Sequence, residues 1–240
     1  MTLEGTNTYV VGREPAFVID PGPDDPGHLA EVQVVADSRG GIAGVLLTHG
    51  HADHGAGVAA LGAPLVWGTA GPGDEMRDPG AGTSAVAARA TDAGPFAVIP
   101  TPGHAPDHVC FVADRVCFCG DLILGWGSSI VPPAAHGGSL VDYMTSLRRV
   151  AELDVDLLAP GHGPPIADPA AKVAEYIAHR ADRERRLVAA LESGERSRSR
   201  LVDIVWDEVP EPLRPAAAIA MQAHLEKLAD EDRLPGDLTA

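Results

Sequence analysis

The chain has 240 residues, enough to bury a substantial core as one domain or as one domain with a small appendage. Apolar residues make up 45% and charged residues 22%, an ordinary globular composition, and no apolar run reaches membrane-spanning length. The formal net charge of −16 argues against polyanions and acidic membrane surfaces as partners, although bound cations would offset it locally.

Short apolar runs at 8–11, 16–19, 44–48, 64–67, 96–99, 109–113, 116–119 and 155–159 read as strands between Gly, Pro and Asp turns. Helical patterns fall between some of them, at 28–38, 55–61 and 140–153. The stretch 67–93, rich in Gly, Pro and Ala without periodicity, reads as a long functional or mobile loop. Cys110, Cys117 and Cys119 lie in one hairpin turning near Asp114 and Arg115, where they pack as small hydrophobes. An odd cysteine count with no basic-then-hydrophobic N-terminus points to free thiols and a cytoplasmic protein. Mostly antiparallel strands with intervening helices suggest an α/β sandwich.

Composition changes after Gly163-Pro-Pro. A helix starting at Asp168 or Pro169 keeps Val173, Tyr176, Ile177, Leu187, Val188 and Leu191 on one face to about 193–194. A second spans 199–206, and Pro210 and Pro212 break the chain before a third at 215–230. The expected division is therefore a domain at 1–165 and a helical tail at 166–240, docked on the sandwich through Val173, Tyr176, Ile177 and Leu187. The basic stretch of that tail, Arg180 to Arg200, is interleaved with Asp182, Glu184, Glu192 and Glu195, so nucleic acid is a disfavoured partner.

Residues 48–54 read Thr-His-Gly-His-Ala-Asp-His. His49, His51, Asp53 and His54 thus follow a buried-looking strand, and imidazole and carboxylate are the ligands that suit zinc and neighbouring transition metals. A solvated histidine-rich loop is the bland alternative. Against it stand three partners, His104, Asp121 and His162, each closing another apolar run. Seven such groups at strand ends suit a two-metal site. His108 is a candidate substrate contact or supporting donor. His28, His136, His179 and His224 read as structural or surface residues.

This pattern, H-x-H-x-D-H followed by H, D and H, resembles the metallo-β-lactamase superfamily along the whole chain. The flanking text Glu4-Gly-Thr-Asn-Thr-Tyr, Ile19-Asp-Pro-Gly, Thr101-Pro-Gly-His and Gly120-Asp-Leu-Ile-Leu-Gly-Trp-Gly looks like the lactamase-beta-2-like group. That group is related to glyoxalase II and to carrier-protein thioesterases, and it includes an endoribonuclease. The resemblance implies a four-layer αβ/βα sandwich with a small winged-helix-like tail, whose wing would have to come from the short stretch 233–240. It implies that His49, His51 and His104 hold one metal, and that Asp53, His54 and His162 hold the other, with Asp121 bridging. Two divalent ions are implied, zinc first, with iron or manganese as alternatives. Related chains run through another strand before the segment matching 2–8, so either the start is assigned too late or an edge strand is missing. The consequence would fall on stability, and on Asn7 and Thr8 near the active-site mouth, not on the metal ligands.

The expected chemistry is hydrolysis by a metal-bridging hydroxide, with Asp53 both ligand and proton acceptor. Three substrates compete: a small-acyl thioester, favoured by the acidic surface and the Gly-Trp-Gly loop at 125–127; single-stranded RNA; and a β-lactam, with nothing pointing to export. Outside enzymes, the tail suggests a metal-sensing DNA-binding regulator. The expected partners are a small ester or thioester and a second copy of the chain, with no membrane.

Overall fold

The strand expectations at 8–11 and 16–19 correspond to β1 (Tyr9–Val11) and β2 (Ala16–Ile19), antiparallel about the turn between them. The computed structural model describes residues 5–68, 85–86 and 96–238, which fall into two compact units. In the first unit, β1 and β2 continue into β3 (Ile42–Leu46) and β4 (Leu65–Trp67), giving one four-stranded sheet in the order β1-β2-β3-β4. β2, β3 and β4 run parallel because helices connect them. The first connection is α1 (Pro26–Asp37), whose first turn is held by Asp25: its Oδ1 accepts from the N–H groups of Gly27 and His28. The second is the pair of single turns α2 (Ala52–Gly55) and α3 (Val58–Leu61), set on the region expected as one helix at 55–61.

The second sheet runs β5 (Ala85–Val86), β6 (Phe96–Pro100), β7 (Val109–Ala113), β8 (Val116–Gly120) and β9 (Leu157–Pro160) in that order. Its first four strands are antiparallel, and β9 is parallel to β8. The β7–β8 hairpin turns at Asp114 and Arg115, both with positive φ, which gives the primed twist that flanking strands require. β5 falls inside the expected loop at 67–93, most of which lies outside the described residues.

Between the sheets Phe17, Ile19 and Leu46 pack against Phe96, Phe111 and Phe118. The opposite face of the first sheet, Val18, Val45 and Leu47, packs on Val32 of α1 and Val58 of α3. β2, β3, β8 and β9 all finish, and β7 begins, at one end of this sandwich. That end carries the candidate site.

The second unit comprises Pro102–Pro106, Ser128–Glu152 and the chain from Ala170 onward. It therefore takes in α4 (Leu140–Ala151) together with the tail helices α5 (Pro169–Glu192), α6 (Arg198–Val205) and α7 (Arg214–Asp230). Leu187 lies in the core of this unit with Leu201, Val205, Met221 and Leu225, so it serves the fold of the tail itself. The tail arginines are largely engaged: Arg183 with Glu208, Arg186 with Asp207, Arg196 with Asp237, Arg200 with Glu195 and Arg214 with Asp203. Residues 233–238 form no strand, so no wing is built there. Among the described residues no helix is long and apolar enough to cross a membrane.

Candidate metal centre

Backbone geometry delivers the ligand-type side chains to the common end of the sandwich. β3 leads into Thr48 and His49, and the chain then turns into α2, which starts directly after His51 and carries Asp53 and His54 in its single turn. Asp121 follows Gly120, whose φ of 46° reverses the chain where an added Cβ would meet Thr48 Oγ1 at 2.6 Å. His162 follows Gly161, where a Cβ would stand 2.5 Å from Asp121 Oδ1 and 2.6 Å from His54 Cε1. Glycine is needed at 161 for space, not for an unusual φ.

The structure brings Asp53, His54 and His162 together, each offering one ligand atom within 4.8 Å of the others. His49, His54 and Asp121 form a second such set on the same terms. His54 Nε2 lies 3.4 Å from Asp121 Oδ1, and His162 Nε2 lies 3.4 Å from Asp121 Oδ2 and 3.5 Å from Asp53 Oδ2. His49 Nε2 and His51 Nδ1 approach to 2.9 Å. His104 is buried on the Pro102–Pro106 segment of the second unit, and its Nδ1 donates to the Ile130 carbonyl at 2.8 Å.

Electrostatics marks this cluster as a place for positive charge. Burial alone would push the His54 imidazole down, but Asp20 and Asp121 outweigh it and lift its pKa to about 10. Burial opposes protonation of His162 as well, and hydrogen bonds to Asp121 and Asp53 lift it to about 10. Burial would raise Asp121, yet His162 and His54 hold it well below the usual carboxylate range. The His162 hydrogen bond, opposed by burial, likewise lowers Asp53. Protons here stand where a cation would be welcome.

A supporting layer fixes these groups. Asp20, 2% exposed, accepts from the Thr48 N–H at 2.8 Å through Oδ1 and from the Thr48 hydroxyl at 2.7 Å through Oδ2. The same Oδ2 accepts from His54 Nδ1 at 2.9 Å, turning Nε2 toward Asp121. His162 Nδ1 donates to the Gly5 carbonyl at 2.8 Å. Asn7 Nδ2 clamps the turn around His162 by donating to the carbonyls of Pro160 at 2.9 Å and Gly163 at 2.7 Å. His108 is buried; Nδ1 bonds the Thr101 hydroxyl at 2.8 Å, and Nε2 accepts the Asp121 N–H at 3.2 Å. Both ring nitrogens thus face protein groups.

Sequence reasoning gave Asp20 no role. The available signal was a carboxylate directly after the buried strand 16–19, in a Pro-Gly turn where its φ is 50°. Asn7 and Thr8, expected near the site mouth, do adjoin it: the Thr8 hydroxyl donates to the Asp20 carbonyl at 2.8 Å.

A sheet sandwich with buried histidines and carboxylates gathered at one end is the architecture of a metallohydrolase. Residues 1–93 and 86–162 match the Metallo-beta-lactamase superfamily, and residues 197–234 match the Beta-lactamase associated winged helix domain. The chain belongs to the metallo-β-lactamase superfamily, a family of hydrolases, and has its α/β fold with a C-terminal winged helix domain. It is 32% identical over 259 residues to the beta-lactamase-like protein 2 homolog of Drosophila melanogaster, covering 98% of this chain and 85% of that one. It is 36% identical over 202 residues to the thioesterase pkgB of Emericella nidulans, covering 80% of this chain and 55% of the relative. Among solved structures it resembles a metallo-beta-lactamase family protein from Thermus thermophilus, with a TM-score of 0.74 at 22% identity, covering 95% and 89% of the two chains.

Proposed function

We propose that the protein is a dinuclear metal-dependent hydrolase of small-acyl thioesters, with residues 1–165 as its catalytic domain. In this reading His49, His51 and His104 hold one ion, Asp53, His54 and His162 hold the other, and Asp121 serves both. The donor set fits: it is wholly imidazole and carboxylate, and His54 Nε2 is buried without a hydrogen-bond partner among the described residues, directed at Asp121. Zinc suits these ligands first, iron or manganese next. When bound, divalent metal supplies an ionised water nucleophile near neutral pH and Lewis acidity toward the attacked carbonyl.

The chain's own residues do the rest. Asp53, partly exposed and held as a carboxylate by His162, takes the proton of the attacking water. Asp20 locks the His54 tautomer. His108 is a positioning residue, since its nitrogens are committed to Thr101 and to the backbone of Asp121.

One observation carries the substrate class. The arginines described in the first unit, Arg13, Arg39 and Arg115, all stand at the far end of the sandwich, in the turn before β2, in the turn after α1 and in the β7–β8 hairpin. Among the described residues of that unit, the ligand-bearing end offers no cation for a phosphodiester backbone. It offers instead Trp126, 52% exposed, in a loop tied to the His162 turn: the Gly125 N–H donates to the His162 carbonyl at 2.9 Å. An exposed indole suits an acyl or thiol-carrier chain. A thiolate also leaves with little acid assistance, so a thioester needs no dedicated proton donor in this site. The three buried free thiols support a reducing, cytoplasmic setting.

The test compares kcat/KM of metal-loaded protein on acyl-glutathione, acyl-pantetheine, a single-stranded RNA and a chromogenic lactam. Thioester turnover lost in Asp53→Ala is expected. RNA cleavage abolished by Asp53→Ala, with no thioester turned over, replaces this reading with a ribonuclease.

A further inference from the structure

His104, under the reading proposed above a ligand of the ion it shares with His49 and His51, belongs to the same compact unit as the tail helices. Two supports hold it there. One is the backbone at Ser129 and Ile130. His104 Nδ1 donates to the Ile130 carbonyl at 2.8 Å, which leaves Nε2 as the atom able to hold a metal. The other is α4, on which the segment carrying His104 is seated. The Ser139 N–H donates to the Gly103 carbonyl at 2.9 Å, and the Ser146 hydroxyl donates to the Pro102 carbonyl at 2.8 Å. A Cβ added at Gly103 would fall on the Tyr143 backbone, so the two segments touch.

Arg180 of α5 reaches both supports. Its Nη2 donates to the Ser129 carbonyl, and its guanidinium lies 5.2 Å over the ring of Tyr143. Ser129 and Ile130 are consecutive, so Arg180 and His104 hold neighbouring carbonyls, and only φ and ψ of Ile130 lie between the two rigid peptide planes. Glu226 of α7 fixes the same stretch further along, where its Oε2 accepts from the Ala134 N–H at 2.8 Å. The tail thus grips at two points the backbone that orients His104. Arg180 is buried, and a buried guanidinium carries a desolvation penalty that an apolar side chain at the same helix position would avoid. Packing alone asks for neither its donors nor its charge.

We propose that Arg180 is a positioning residue for the metal centre. Acting through Ser129, Ile130 and Tyr143, it holds the His104 imidazole in the orientation that presents Nε2, which makes the tail a working part of that ion's site. Loss of a partner that orients a ligand typically weakens metal binding about 10–100-fold. Arg180 acts one step further out, through the carbonyl-bearing backbone, so an effect of about tenfold is expected.

The test is chelator competition on the full-length, zinc-loaded protein, in a double-mutant cycle of Arg180→Met with His104→Ala. Arg180→Met should weaken one of two ions about tenfold and leave the other unchanged. On the His104→Ala background it should change nothing further. Arg180→Lys, which keeps a cation over Tyr143 and a donor for Ser129, should recover part of the loss. Glu226→Ala empties no buried position; it should fold whether or not Arg180→Met does, and weaken the same ion by a few-fold. Nitrogen NMR of the imidazoles in the metal-free protein reads the ring itself: His104 should be a single Nδ1–H tautomer in the wild type and a mixture in Arg180→Met. Both ions held within twofold of wild type in Arg180→Met and Glu226→Ala, an equal loss with and without His104, or an unchanged tautomer overturns the positioning role. A wild type that holds fewer than two ions defeats the dinuclear reading instead, and the His104 tautomer then still decides for or against Arg180.

Discussion

Asp20→Asn replaces one oxygen by an amino group of nearly equal size, and the geometry around it leaves no acceptable orientation. If the new NH2 group takes the place of Oδ2, it faces His54 Nδ1, formerly 2.9 Å from an acceptor, and the Thr48 hydroxyl, formerly at 2.7 Å. The hydroxyl can rotate to accept. The neutral, metal-ligating imidazole cannot, so its proton would move to Nε2 and occupy the lone pair that a metal would use. If the amide flips instead, the NH2 opposes the Thr48 N–H, previously satisfied at 2.8 Å, and a buried donor is stranded at a cost of about 1–3 kcal/mol. Backbone strain does not enter, because Asn tolerates the φ of 50° held by Asp20. Loss of such an outer partner typically costs about 10–100-fold in metal affinity or activity. Asp20→Asn should therefore weaken metal retention in chelator competition by that factor and lower kcat in parallel. Metal affinity and kcat both within twofold of wild type would refute the claim that Asp20 sets the His54 tautomer.

Gly161→Ala should lose metal almost completely, because its Cβ would lie 2.5 Å from Asp121 Oδ1 and 2.6 Å from His54 Cε1; full metal content by elemental analysis would contradict this. Trp126→Ala should raise KM for long-chain more than for short-chain thioesters and leave the melting temperature unchanged, since the indole is 52% exposed; equal KM across the series removes it from substrate binding. His108→Phe should strand the Asp121 N–H and lower kcat about tenfold or more, with KM little altered; His108→Gln, which can still accept that N–H, should recover part of the loss, and no difference between the two variants would deny the positioning role. His51→Ala should lose metal and activity together, as a site with an open coordination position cannot spare an imidazole; retained metal in elemental analysis would remove His51 from the ligand set.

Strand periodicity and glycine placement made most of the sandwich legible. The runs at 16–19, 96–99, 109–113 and 116–119 each match a strand to within a residue, because those strands are buried and bounded by turn residues. β5 was not legible: two residues, Ala85 and Val86, within an Ala- and Gly-rich stretch carry no periodic signal. The ligand-type residues announced themselves by spacing, since His49 to His54 fall within a single turn of chain. Asp20 did not, because nothing in Ile-Asp-Pro-Gly says that the carboxylate turns inward; that depends on its positive φ and on Thr48, 28 residues away.

The tail shows the opposite failure. Read as a string, Arg180 to Arg200 looks like a phosphate-binding segment partly cancelled by adjacent carboxylates, and Asp182 and Arg186 look like partners. In three dimensions some cancelling acids are indeed adjacent, Asp182 on Arg185 and Glu195 on Arg200, while others come from elsewhere: Asp207 reaches Arg186, Glu208 reaches Arg183, and Asp237 reaches Arg196. Arg180 and Arg183 are not surface charges, since both are buried and both stack on aromatic rings, Tyr143 and Trp206. Much of the positive charge in this segment is thus paired or buried. Arg180 and Arg183 are instead turned inward, where they tie the helices together through the Ser129 and Val205 carbonyls.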